Sequence, residues 1–128
     1  MKTPIDEQEQ IRENMTCDMS DFCDLAEGFK ALADSTRLHI IHLLMIRGEM
    51  CVCEFINLLD LTQSNISFHL KTLKYAGFIT SRKEGKWMHY SLNRKVFGKF
   101  CANFGDTFDM DKWSEKTVPV SCENTVCR

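Results

Sequence analysis

The sequence lacks any long hydrophobic run. None of its apolar stretches approaches the roughly 18 residues that a membrane span requires. The first fourteen residues are polar and acidic, without the charged-then-apolar order of a signal peptide. We therefore expect a chain that neither spans a membrane nor is secreted, and that stays in a reducing cytoplasm.

The sequence also lacks the short motifs of common enzyme classes. It has no glycine-rich phosphate loop, no histidine and carboxylate at a recognisable catalytic spacing and no Cys-x-x-Cys oxidoreductase pair. Its 128 residues correspond to one domain, which excludes a large two-domain enzyme. We predict that the protein is not an enzyme.

The chain has many cysteines, by contrast, and its charge is unevenly distributed along the sequence. The chain has seven cysteines, and an odd number in an unsecreted chain favours thiolates used as ligands or redox groups over a disulfide framework. Residues 62–99 carry eight basic side chains and one acidic, whereas residues 1–34 carry three basic and nine acidic. Such a basic stretch is typical of a nucleic-acid-binding face. The alternative is a lysine-rich face that is only solvated.

Four segments have the hydrophobic periodicity of α-helices. The third and fourth are short and are separated by a tight turn, and the fourth combines a thin apolar stripe with a polar face, which predicts a helix-turn-helix. The stripe consists of Ile66, Leu70 and Leu73. The first predicted helix begins at Ser20 as its N-cap, and the second runs from Thr36 to about Arg47. The third runs from Val52 to Leu59, and the fourth lies between Thr62 and Gly77.

Beyond the fourth helix, the pattern changes to strand-like alternation. Residues 78–92 predict a β-hairpin with a basic turn, which would form a wing. A last helix, Val96 to Phe108, has more aromatic surface than one small domain readily covers. We expect a homodimer through the terminal helices, with ordinary core packing as the alternative.

Together these patterns predict an α+β, mostly helical fold: a winged helix-turn-helix over residues 16–108. A flexible acidic N-terminus, residues 1–15, and a flexible cysteine-containing tail, residues 109–128, would flank it.

Cys51 and Cys53 lie at the start of the third predicted helix. On a regular helix, residues two apart point about 200° from each other, so both sulfurs cannot bind one small ion while that turn stays helical. Either Cys51 lies just outside the helix, or ligand binding melts its first turn. Thiolates select soft ions, and arsenite, cadmium, lead, zinc and copper all remain open. The alternative is that both cysteines are small buried apolar groups.

Four motifs follow one another along the chain: FKALADSTRL (29–38), GEMCVCEF (48–55), QSNISFHL (63–70) and RKEGKWMHYSL (82–92). With these motifs the chain resembles the ArsR/SmtB family of metalloid- and metal-sensing repressors, and most of all its arsenical-responsive branch. The resemblance covers roughly residues 20–100. It implies a dimeric winged-helix protein that occupies its operator until an inducer binds.

By this resemblance, Cys51 and Cys53 match the cysteine pair of the family's arsenite and cadmium/lead sites. In the best-known arsenite motif another cysteine follows three residues after the pair, but here Ile56 holds that place. The candidates for a third thiol are Cys17, Cys23, Cys122 and Cys127, and an organoarsenical needs only two thiolates. The family's aspartate and histidine zinc site is not expected, because residues 94–108 contain no histidine.

The same resemblance and the residue chemistry place DNA reading on the fourth helix. Gln63 can pair with adenine, while Ser64, Ser67 and His69 can donate to base edges or phosphates. The predicted phosphate contacts are Lys71, Lys74, Arg82, Lys83 and Lys86. A symmetric dimer predicts an inverted-repeat operator.

The function expected from the sequence is repression of a metal(loid)-resistance operon, with no cofactor in the repressing form. The inducer would be trivalent arsenic, as arsenite or an organoarsenical. One alternative is a cadmium or lead sensor that adds Cys17 or Cys23 to the pair. Another is a thiol redox switch that oxidises Cys51 with Cys53, or Cys122 with Cys127.

Overall fold

A computed structural model describes residues 19–113 of the protein. In chain order its elements are α1 (Met19–Leu32), α2 (Ser35–Arg47), β1 (Glu49–Cys51), α3 (Val52–Leu59), α4 (Gln63–Tyr75), β2 (Ile79–Glu84), β3 (Trp87–Leu92), α5 (Arg94–Thr107) and α6 (Met110–Trp113). The predicted α+β winged helix-turn-helix is confirmed. The predicted acidic N-terminus, residues 1–15, lies outside the described residues.

Capping groups begin and end the helices close to where the sequence predicts. The Asp34 carboxylate accepts the backbone N–H groups of Thr36 and Arg37, at 2.8 and 3.2 Å, and so begins α2. Thr62 caps α4 through its hydroxyl oxygen. Gly48 ends α2 at a φ of +86°, in the left-handed region that glycine enters without steric cost.

Two details differ from the sequence-based expectation. Ser20 does not cap the first helix, because α1 already includes Met19. The single turn α6 lies within residues 109–128, for which the sequence predicts a flexible tail. Residues 114–128 of that tail lie outside the described range.

The three strands form one antiparallel sheet in the order β1-β3-β2. β2 and β3 form the predicted hairpin, here called the wing. β1 was not predicted, since three residues are too few to show alternation. It pairs with β3 so that Met50 lies opposite Tyr90 and Cys51 opposite His89.

The core lies between the sheet and helices α2, α3 and α4. The predicted stripe of α4 is confirmed as part of it, because Ile66, Leu70 and Leu73 are fully buried. The other largest fully buried side chains are Ile40, Leu44, Met50, Phe55 and Ile79. Within the described range no helix is long and apolar enough to cross a membrane.

Aromatic side chains join the terminal helices α1 and α5. The Phe29 ring lies 5.1 Å from that of Phe100 and 4.9 Å from that of Phe104, in edge-to-face geometry. Phe100 also contacts the buried Phe78, whereas Phe29, Phe104 and Phe108 stay exposed. One part of the aromatic surface therefore packs on the core, and another part remains uncovered in the single chain.

Gly28 lets α1 approach α5 closely. A Cβ atom at this position would overlap Cε2 of the Phe100 ring. We expect Gly28→Ala to destabilise the fold by about 1–3 kcal/mol, as overpacking does elsewhere. Gly98→Ala is the matched control, because a Cβ there meets nothing within 4 Å. It should leave stability unchanged or raise it slightly, since alanine favours helix. Urea unfolding of both variants checks this, and equal effects would contradict the packing argument.

Candidate nucleic-acid interface and thiol site

Helix α4 presents a polar face on the side away from the core. Its buried stripe faces inward, and Gln63, Ser64 and Ser67 are exposed at its N-terminal half. A three-residue turn from Asp60 to Thr62, with Asp60 at a φ of +52°, joins α3 to α4. The arrangement matches a helix-turn-helix, in which the N-terminal residues of the second helix can reach base edges in a major groove.

His69 does not share the exposed face of Gln63, Ser64 and Ser67. Its side chain is only 15% exposed and points towards the junction of α1 and α2. Its Nδ1 atom lies 3.2 Å from Nη1 of Arg37 and accepts that hydrogen bond, because a guanidinium only donates. Arg37 also donates to the carbonyl of Ala31 at 2.6 Å. His69 therefore anchors α4 to the rest of the fold instead of facing outward with the serines.

The residues predicted to contact phosphates differ in whether their charged groups already bind other side chains. Lys71, Lys83 and Lys86 are exposed and form no ion pair with any described residue. The ammonium group of Lys74 donates to Ser81 Oγ at 2.7 Å, which ties the end of α4 to the wing. The available positive charge thus lies on α4 and at the tip of the wing.

Arg82 is held by carboxylates on the wing sheet. It lies in the same row of the sheet as His89 and Cys51, and it reaches across β3 to Glu49. Its Nε and Nη2 atoms lie 3.0 and 2.6 Å from the Glu49 oxygens, and Nη1 lies 3.0 Å from Glu84. This hydrogen-bonded guanidinium holds the pKa of Glu49 below its usual value. Arg82 therefore links β1 to the wing instead of standing free for a phosphate.

The thiol pair, Cys51 and Cys53, converges at the junction between β1 and α3. Cys51 has extended backbone, with φ −90° and ψ 163°, and is the N-cap residue of α3. The two sulfurs form a disulfide in the structure, with the Cα atoms 5.5 Å apart. Of the two predicted geometries, the first is therefore found: Cys51 lies just outside the helix, and α3 stays helical with both sulfurs together.

The Glu54 carboxylate reinforces this junction by accepting one hydrogen bond and forming one ion pair. The backbone N–H of Cys51 donates to Glu54 Oε1 at 3.2 Å, and Glu54 Oε2 lies 3.6 Å from Nη1 of Arg47 at the end of α2. Cys51 is buried and Cys53 is half-buried. The pair is thus held between α2, α3 and β1, with one sulfur nearer to solvent.

Within residues 19–113, the structure places no third thiol ligand beside Cys51 and Cys53. No cluster of three or more histidine, cysteine or acidic side chains suited to a metal ion is found there. Cys23 is free and exposed on α1. Cys17, Cys122 and Cys127 lie outside the described residues. Cys101, which the sequence analysis did not select, is also free and exposed, on α5.

Comparison with known proteins identifies relatives of this domain. Residues 34–81 match the family model "Bacterial regulatory protein, arsR family". The chain is 51% identical over 68 residues to the arsenical resistance operon repressor of Escherichia coli K12, covering 53% of this chain and 58% of that protein. It is 44% identical over 70 residues to a cadmium resistance transcriptional regulatory protein CadC homolog of Staphylococcus aureus, covering 55% and 58%.

A solved structure shares the fold over most of its length. The crystal structure of the transcriptional regulator HlyU from Vibrio vulnificus CMCP6 is 30% identical and superimposes with a TM-score of 0.55. The match covers 67% of this chain and 90% of that one. The chain spans less than two thirds of the length of the two curated relatives. All three proteins are named as regulators or repressors of transcription, and none as an enzyme.

The N-cap of α2 predicts a pH dependence of stability. The backbone N–H of Arg37, followed by that of Thr36, holds the pKa of Asp34 below its ordinary value of 3.8. A carboxyl with a lowered pKa stabilises the fold above the unfolded pKa and loses that contribution as the pH falls through the folded one. We therefore expect stability to fall below about pH 3.8 in the wild type, and less steeply in Asp34→Asn, which keeps a capping side chain.

Urea midpoints between pH 2 and 7 measure this difference. Asp60→Asn is the matched control, because asparagine tolerates the left-handed backbone found there. It should keep the wild-type pH profile. A profile for Asp34→Asn that is parallel to the wild type over this range would contradict the role of the Asp34 charge.

Proposed function

Because the chain belongs to the arsR family of bacterial regulatory proteins, we propose that it is a DNA-binding transcriptional repressor released when an inducer binds its thiol pair. The observation that carries this proposal is the position of Cys51, which ends β1 and caps α3. An inducer bound there is attached both to the sheet of the wing and to the first helix of the helix-turn-helix. The protein acts in the cytoplasm, where the thiols are reduced.

The DNA-binding surface combines α4 with the wing. Gln63, Ser64 and Ser67 read base edges in a major groove, and Lys71, Lys83 and Lys86 contact phosphates. Arg82 and His69 act from behind this surface, because their side chains are engaged with Glu49 and Arg37. Lys74 contributes charge while holding α4 to the wing.

The repressor acts as a homodimer on an inverted-repeat operator. Support for the dimer comes from the exposed aromatic side chains of the terminal helices, Phe29, Phe104 and Phe108. These rings form a contiguous apolar surface, of the kind that marks association. A two-fold dimer places its two α4 helices in successive major grooves.

The inducer in this proposal is trivalent arsenic, as arsenite or an organoarsenical. Each As–O bond that is replaced by an As–S bond takes a thiol proton and releases water, so two or three thiols suffice. The convergent pair supplies two sulfurs without unfolding α3. Arsenite takes its third sulfur from Cys17, Cys23, Cys122 or Cys127, and the repressing form needs no cofactor. The likeness to an arsenical resistance operon repressor supports this choice.

Induction follows from linkage between the two sites. Arsenic binds better to a conformation in which β1 and α3 are repositioned and α4 no longer matches the groove. DNA must then weaken arsenic binding by the same factor as arsenic weakens DNA binding. The row Cys51, His89 and Arg82, with Glu49, provides a direct connection from the thiols to the wing.

Two alternatives rest on specific observations. The likeness to a cadmium resistance regulator supports a cadmium or lead sensor that adds Cys17 or Cys23 to the pair. The disulfide between Cys51 and Cys53 supports a redox switch. In that reaction two thiols lose two electrons and two protons to form the S–S bond, while a peroxide is reduced.

Loss of the thiol pair should abolish induction. We expect arsenite to lower the affinity of reduced protein for the promoter fragment upstream of its own coding sequence by about 5- to 150-fold, the usual range of allosteric coupling. Cys51→Ser and Cys53→Ser should each bind the fragment but resist release. Cys101→Ser is the matched control, because Cys101 is an exposed free thiol on α5, and it should respond like the wild type. Fluorescence anisotropy of the labelled fragment measures all four proteins.

The outcomes separate the alternatives. If both serine variants are still released by arsenite, the thiol pair is not the inducer site. Release at lower concentrations of cadmium or lead than of arsenite would support the cadmium/lead alternative. Release by peroxide without any metal, reversed by a reductant, would support the redox switch.

The exposed lysines of the wing should determine the salt dependence of DNA binding. Each lysine that neutralises a phosphate contributes about one unit to the slope of log affinity against log salt concentration. Lys83→Ala and Lys86→Ala should each reduce that slope by about one. Lys30→Ala is the control, because Lys30 pairs with Glu27 on α1, and it should leave the slope unchanged. Unchanged slopes for both wing variants would place the wing away from the DNA backbone.

A further inference from the structure

The proposed DNA-reading helix carries an exposed phenyl ring on the face opposite its buried stripe. At about 100° per residue, Phe68 points roughly 160° away from both Ile66 and Leu70, which are fully buried. Its side chain is 62% exposed. Phe68 therefore lies on the side of α4 directly opposite the core, a position that the sequence analysis left unassigned.

The fold itself gives no reason for a phenyl ring at this place. Within residues 19–113 its one ring contact is the edge of His69, with centroids 5.5 Å apart. An exposed phenyl ring forgoes the free energy that burial of its apolar surface would supply. Stability alone would favour a polar residue here, as at the exposed positions 63–65, 67 and 71 of α4.

The surroundings of Phe68 favour nucleic acid over protein as its partner. Ser64 and Lys71 lie one helical turn before and after it on the same face, and both are exposed. Tyr75, another exposed ring on this face of α4, lies two turns further along at the end of the helix. The nearest neighbours of Phe68 on the face are therefore hydroxyl and ammonium groups, and its ring is far smaller than the apolar patches that bind proteins. The apolar surface suited to a second copy of this chain lies instead on α1 and α5, at Phe29 and Phe104.

We infer that Phe68 contacts the 5-methyl group of a thymine and so determines part of the operator sequence. This inference rests on the proposed function. In the major groove the thymine methyl is the apolar group that distinguishes one base pair from the others, and it is read by apolar side chains. In this proposal Ser64 and Ser67, which precede the ring on the exposed side of the helix, hydrogen-bond to neighbouring polar groups. Phe68 is thus a specificity-determining residue, and it reads a methyl group and not a hydrogen-bonding edge.

Replacement of single thymines by deoxyuridine tests this contact, because it removes only the methyl group. The probe is the promoter fragment upstream of the chain's own coding sequence, synthesised with one substitution at a time. For the wild type, one position in each half-site should lose about fourfold in affinity, the value of one buried methyl group. Phe68→Ala should bind the thymine and deoxyuridine forms of that position equally, while Phe68→Leu should keep part of the difference.

Matched controls separate the contact from a general loss of binding. Ile46→Ala removes another exposed apolar side chain, on α2, and should keep the wild-type preference at every position. Thermal unfolding of each variant establishes that it is folded. If deoxyuridine weakens the wild type nowhere, or weakens the wild type and Phe68→Ala by the same factor, the inference is wrong. Failure of the wild type to bind the fragment at all would instead overturn the proposed function, and this inference with it.

Discussion

The antiparallel pairing of β1 with β3 is the constraint on which both the thiol site and the wing depend. Because Cys51 is the last residue of β1, its backbone is extended, and its sulfur meets that of Cys53 at the first turn of α3. The same pairing places Glu49 where it can bind Arg82 across β3. A strand of three residues thereby joins the thiol pair, the wing and the helix-turn-helix in one unit.

Hydrogen bonding separates six basic residues of the described range into two groups with different tasks. Arg82, Lys74 and Arg37 are held by hydrogen bonds to Glu49, Ser81 and the carbonyl of Ala31, and they connect elements of the fold. Lys71, Lys83 and Lys86 extend from the surface without such partners in the described range. The guanidinium groups of Arg82 and Arg37 suit the first task because each forms several directed bonds, whereas a flexible ammonium without a partner suits contact with a phosphate backbone.

The two faces of α4 differ in how well the sequence predicts the direction of their side chains. The stripe of Ile66, Leu70 and Leu73 was predictable, since apolar residues at helical spacing must be buried somewhere. The polar positions Gln63, Ser64 and Ser67 followed from it by exclusion. The direction of His69 did not follow, because histidine suits DNA contact. It depends on where α1 and α2 pack against the helix, and this packing turns His69 inward towards Arg37.

The sequence by itself determined the order and type of the helices, the hairpin, the basic region and the pair of cysteines that carries the chemistry. These features depend on local periodicity, capping groups and residue type, all of which act over a few positions. Tertiary structure alone decided that Cys51 belongs to a strand, that Arg82 is bound to Glu49 and that His69 is bound to Arg37. Each of these depends on contacts between segments that are far apart in the chain, for which the local pattern of residues contains no signal. The physical reason is that a strand as short as β1, or an ion pair across a sheet, is stable only once its partner strand is in place.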